Sequence, residues 1–151
     1  MQRYAHGLLA GFCATLVLSA FMIAKAFLGI PPPMSVIHLL AGLGHHLFGT
    51  PAAPIFGWLA HFAIGTILWG LLFAALYAVL PGSAMAKGAL FATGAWLLMM
   101  IILMPLAGKG LFAAGAGPGV AIATLILHWI YGVALGAVMG AAESRSARAP
   151  S

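Results

Sequence analysis

Two histidines, His61 and His128, each fall inside a long apolar stretch, four residues before a glycine, Gly65 and Gly132. A ring at that depth is costly unless its nitrogens find partners, which makes it a functional candidate. Two chemistries fit. Imidazoles at similar depth on neighbouring parallel helices can sandwich a haem iron, and nearby glycines leave room for a flat macrocycle. Alternatively each neutral ring hydrogen-bonds across helices, to Thr15, Ser19, Thr66 or Thr124. The second is the expectation, with no resident cofactor. Haem b held by His61 and His128 is the alternative.

A second group is His38, His45 and His46 with Met34, which suggests copper or zinc. Spacing argues against one rigid site. On a helix His38 and His45 share a face but lie about 10.5 Å apart along the axis, and adjacent residues point about 100° apart. No metal is therefore expected, and the three read as polar interfacial side chains. Met99, Met100 and Met104 read as adaptable packing. Cys13 stands alone, which rules out an internal disulfide and a thiolate-only metal site.

The absences narrow the chemistry further. Glu143 is the one carboxylate side chain against six basic residues, a formal charge of +5. Paired-carboxylate hydrolysis is impossible with one acid near the C-terminus. No span carries the acidic relay that a proton- or cation-coupled carrier usually needs. No phosphate loop or activated nucleophile motif occurs. An enzyme is not expected, and the basic residues are too few and scattered for a nucleic-acid surface.

The elements that position these residues follow from hydropathy. From Ala26 to Ala86 there is no Asp, Glu, Lys or Arg, and the chain is 64% hydrophobic with a mean hydropathy of +1.16. Such a chain dissolves in lipid. The reading is all-α: one domain over residues 1–151, a bundle of four transmembrane helices at about 4–30, 54–80, 86–106 and 119–142. Pro31-Pro32-Pro33 stops the first span, which is too long for a signal-peptide core. In the outer loop 31–53, Met34 to Phe48 is apolar but too short to cross, so an interfacial or re-entrant helix is expected there. Residues 143–151 read as a frayed tail. Trp58, Trp69, Trp96, Trp129 and Tyr131 are candidate interface anchors.

Small residues recur every four positions: Gly7, Gly11, Thr15 and Ser19; Gly57, His61 and Gly65; Thr124, His128, Gly132, Gly136 and Gly140. Such ridges let helix backbones approach closely, either inside the bundle or against a partner. A weak repeat aligns His61 with His128, Gly65 with Gly132 and Gly7 with Gly88, as two parallel helix hairpins would. Arg3, Lys87, Arg145 and Arg148 lie at one end, Lys25 and Lys109 at the other. That bias places both termini in the cytoplasm.

The chain resembles an uncharacterised family of small four-span bacterial inner-membrane proteins, a domain-of-unknown-function family. The resemblance rests on His6-Gly7-Leu8-Leu9-Ala10-Gly11 with Ala14-Thr15, Ser19 and Lys25, and on Gly49-Thr50-Pro51 and Gly57 to Thr66. Met99-Met100, Met104 to Gly108 and Leu127-His128-Trp129-Ile130-Tyr131-Gly132 complete it. It implies a bacterial inner-membrane setting and no assigned activity, and His38, His45 and His46 lie outside its pattern. The expected role is a non-catalytic accessory or interaction subunit, packed against itself or a larger membrane complex. The alternatives are the haem-binding subunit and a small pore or carrier for a neutral or apolar solute.

Overall fold

The computed structural model describes residues 1–29 and 34–148. The triple proline expected to break the first span lies outside the described residues. Five α-helices follow in order: α1 (Gln2–Phe27), α2 (Val36–Phe48), α3 (Pro54–Leu76), α4 (Ala84–Leu106) and α5 (Pro118–Arg148). All but α2 are long and apolar enough to cross a membrane. Only 22–33% of the most apolar window of each is buried in the bundle, so most of their apolar surface must meet lipid. This is a multi-pass membrane protein.

Local signals set the helix ends. Ser35 and Ser83 cap α2 and α4, their hydroxyls accepting the N–H of His38 and Ala86 at 3.4 Å. Gly49 closes α2 in the left-handed conformation at φ 68°, where a side chain would be strained. With 13 residues α2 spans about 20 Å, short of the hydrocarbon thickness, as its sequence length implied. It packs on the start of α3, where Gly57 lies on the Ile37 carbonyl.

Two spans are locally widened. Ile64–Trp69 of α3 and Met99–Leu103 of α4 are π-helical. The second precedes Pro105, which has no N–H for the ladder, and the widened turn takes up that fault. After α4, Leu111–Ala116 forms a 3₁₀ turn in which Phe112 and Ala113 sit at φ 52° and 56°. Two successive non-glycine residues there cost on the order of 1–3 kcal/mol each, which the surrounding packing must offset. Ala113 is fully buried with Met100, Met104 and Val120, and Phe112 stacks edge-on to Trp96 at 5.8 Å.

The spans run up, down, up, down. α1 and α5 pack side by side, with α3 on α1 and α4 on α5. Side-chain size sets these spacings. Gly7 meets Gly70 between α1 and α3, and Gly88 meets Gly132 between α4 and α5. The remaining pair, α3 and α4, is held apart by rings: Phe91 lies 5.1 Å from Phe73 and 5.9 Å from Trp69. Phe73, Leu135 and Met139 fill the centre at 0% exposure. The two hairpins match the repeat with one displacement, since Gly11 rather than Gly7 sits on Gly65.

The tail expected to fray over 143–151 is helical as far as it is described, and its residues 149–151 lie outside the described residues. α5 continues as helix to Arg148. Its 31 residues span about 46 Å, so the last turns stand clear of the hydrocarbon and stay helical in water. They are also held to the start of α1, with Ser146 Oγ 3.4 Å from His6 Nε2 and Glu143 3.9 Å from His6 Nδ1.

An added side chain at Gly88 would fall on the Gly132 carbonyl, whereas Gly94 on the same helix has open space. Gly88→Leu and Gly132→Leu should each lower thermal stability in detergent by about 1–3 kcal/mol. Gly94→Leu should leave it equal or raise it, since leucine is the better helix former. Equal midpoints for all three variants would show that the glycine contact is not what joins α4 to α5.

Candidate functional site

The polar side chains of the spans form a layer of mutual hydrogen bonds rather than an open pocket. His61 is 9% exposed, on the face of α3 turned to α1, with Nε2 3.2 Å from Ser19 Oγ. Trp58 and Phe62 meet its ring edge-on at 5.7 and 5.8 Å. One turn further on, Gly65 packs against Thr15, whose hydroxyl donates to its own Gly11 carbonyl at 2.7 Å.

His128 is half-buried on α5, and its Nδ1 donates to the Thr124 carbonyl at 2.8 Å. That bond leaves Nε2 as an acceptor with no donor among the described residues. The residues one turn to either side face α4. Trp96 Nε1 donates to Thr124 Oγ1 at 3.2 Å, and Gly132 lies on Gly88. A further bond in the same pair runs from Trp129 Nε1 to Thr93 Oγ1 at 2.9 Å.

One contact crosses the bundle diagonally. The Tyr131 hydroxyl donates to the Gly65 carbonyl at 2.6 Å, inside the widened turn of α3. It puts α3 and α5, which run the same way, in register. His61 and His128, one turn before the bonded residues, therefore lie at comparable depth. His61 is turned to its hairpin partner α1, whereas His128 bonds back to its own helix between residues that face α4. The room beside Gly65 and Gly132 that a flat macrocycle would need holds Thr15 and the Gly88 backbone.

Of the partners expected for the rings, Ser19 serves His61 and the Thr124 backbone serves His128. Thr66 serves neither: its hydroxyl is buried without a partner among the described residues. Of the candidate interface anchors, Tyr131 is corrected, because it is buried at 6% exposure and bonded across the bundle, while Trp96 and Trp129 each donate to a neighbouring helix. For Tyr131 the signal was present in the sequence. It stands three residues from a histidine already placed deep in a span, too deep for an interface anchor.

The loop histidines part company. His45 Nδ1 lies 2.8 Å from the Thr50 carbonyl, bracing the end of α2. His38 and His46 line a cleft of about 560 Å³ between α2 and the end of α4, with Met34, Ser35, Leu106 and Lys109. Among the described residues no three His, Cys, Asp or Glu side chains come together as a metal site.

Comparison with known proteins adds the family. A profile described as a family of unknown function (DUF6789) matches residues 1–149. The chain belongs to that family. Neither the curated proteins nor the solved structures gave a match. Membership of DUF6789 agrees with the resemblance to a domain-of-unknown-function family and carries no activity with it.

Tyr131→Phe deletes one hydroxyl and its bond to Gly65 while keeping the ring. It should lower thermal stability by about 1 kcal/mol, the usual worth of a hydrogen bond between membrane helices. Val133→Ala on the exposed face of α5 should cost less. An unchanged midpoint for Tyr131→Phe would show that the diagonal bond does not hold α3 to α5.

Proposed function

We propose that this chain is a non-catalytic membrane subunit whose role is contact, as an accessory component of a membrane complex or as a homo-oligomer. The observation that carries the reading is the use of its intramembrane polar groups. The ring of His61, the indoles of Trp96 and Trp129 and the hydroxyls of Ser19, Thr93, Thr124 and Tyr131 are engaged with neighbouring helices. Catalysis needs an acid, base or nucleophile left free in a cavity, and coupled transport needs an intramembrane charge. Here the single carboxylate side chain, Glu143, sits beside His6 at the terminal end.

The small-residue ridges are spent inside the bundle, so contact with a partner falls to the broad apolar outer faces. Within this proposal the membrane is a bacterial inner membrane and both termini are cytoplasmic. Arg3, Lys87, Arg145 and Arg148 mark that side.

The test is native mass spectrometry of protein extracted with its surrounding lipid, from cells that also carry a reporter fused after Ser151. The expected result is a single colourless particle of defined stoichiometry, heavier than the 15.5 kDa chain by whole protein subunits, with the reporter active in the cytoplasm. A bare monomer would contradict the contact role. Iron with a Soret band, lost in His61→Ala or His128→Ala, would replace it with the haem-binding reading.

A further inference from the structure

Among the described residues, the cleft between α2 and the end of α4 brings basic and hydrogen-bonding side chains together beside apolar ones. Lys109, His38, His46 and Ser35 supply the polar lining, and Met34 and Leu106 belong to the apolar part. Its volume of about 560 Å³ lies within the ordinary range for small-ligand sites.

The geometry points to a binding site for an anionic amphiphile, a phosphate-bearing lipid whose phosphate meets Lys109 while its extended head and glycerol pass along α2 beside His38 and His46 and its chains follow the apolar flank. Three observations carry this. First, the backbone at Lys109 is fixed, which sets the point from which its exposed side chain extends. Its N–H donates to the Met104 carbonyl at 2.9 Å, and its carbonyl accepts from Gly115 N–H at 2.9 Å. Gly108 and Gly110 on either side are in the left-handed region at φ 69° and 74°. The strained pair Phe112 and Ala113 follows directly in the same turn.

Second, the charge is uncompensated. Among the described residues no acceptor meets the Lys109 ammonium. The only carboxylate side chain in the sequence is Glu143, at the opposite end of the bundle beside His6. A ligand in the cleft therefore meets no carboxylate, and the lysine and both imidazoles can donate to it. The same lysine argues against a metal cation. His38 and His46, eight residues apart on α2, are also separated by about 12 Å along its axis, too far to share one ion. That spacing suits a ligand extended along the helix.

Third, the cleft is at headgroup depth. α2 is too short to span, and it rests on the ends of the spanning helices with Leu47 and Phe48 left 58% and 81% exposed. On the topology proposed above this is the level of the outer-leaflet headgroups, whose phosphates a fixed positive charge attracts. The lipid, rather than free phosphate, is the occupant because the apolar part of the lining would be wasted on an inorganic anion.

The test uses the full chain in a neutral detergent, titrated with dioleoyl phosphatidylglycerol, dioleoyl phosphatidylcholine or inorganic phosphate and read by native mass spectrometry. Phosphatidylglycerol should be retained one per chain, at least ten-fold more tightly than phosphatidylcholine. Inorganic phosphate alone should not displace it. Lys109→Gln should weaken retention at least ten-fold and His38→Gln with His46→Gln by a smaller factor. Lys109→Arg should hold within about three-fold, and Arg145→Gln with Arg148→Gln at the far end should change nothing. Equal retention of the two lipids would overturn the proposal. So would unchanged binding in Lys109→Gln, equal loss in Lys109→Gln and Lys109→Arg, or phosphate binding without lipid retention.

Discussion

Backbone contact at glycine is the constraint on which the rest of this structure depends. In lipid there is no hydrophobic gain when two apolar helices meet, so packing and hydrogen bonding must supply the association. Gly7 on Gly70 and Gly88 on Gly132 bring two pairs of spans to the closest approach available to helices. At that distance short side chains reach the opposite backbone or one another. The Ser19–His61 contact and the Trp96–Thr124 and Trp129–Thr93 bonds all cross these interfaces. A bulkier residue at either glycine pair would separate the donors from their acceptors as well as the helices.

The aromatic residues complete the geometry by doing the opposite. Phe73, Trp69 and Phe91 hold α3 and α4 apart, so the bundle is narrow across its glycine faces and wide across this one. The Tyr131 hydroxyl then reaches diagonally to Gly65 through the widened turn of α3. Most of the polar groups in the spans are consumed in this way. At the α2 end, among the described residues, the Lys109 ammonium meets neither a carboxylate nor a carbonyl.

The spans and the short α2 were legible in the sequence because hydropathy over twenty residues, capping serines and glycine stops are local signals. The placement of His61 and His128 inside long apolar helices was legible for the same reason. The order of helices around the bundle was not, since ridges of small residues look alike whether they face a neighbour or lipid. The π segment at Ile64–Trp69 has no Pro to announce it, unlike the one before Pro105. The helical tail was missed because its anchor, His6, is far away in the sequence. The cleft joins residues near 34–46 to residues near 106–109, and no local pattern links those stretches.

The central claim is that glycine-to-glycine contact joins the spans. Solid-state NMR of the protein in bilayers, with glycine carbons selectively labelled, tests it most directly. The account predicts through-space Cα cross-peaks joining Gly7 to Gly70 and Gly88 to Gly132. Their absence, in spectra where sequential contacts between neighbouring residues are resolved, would contradict it.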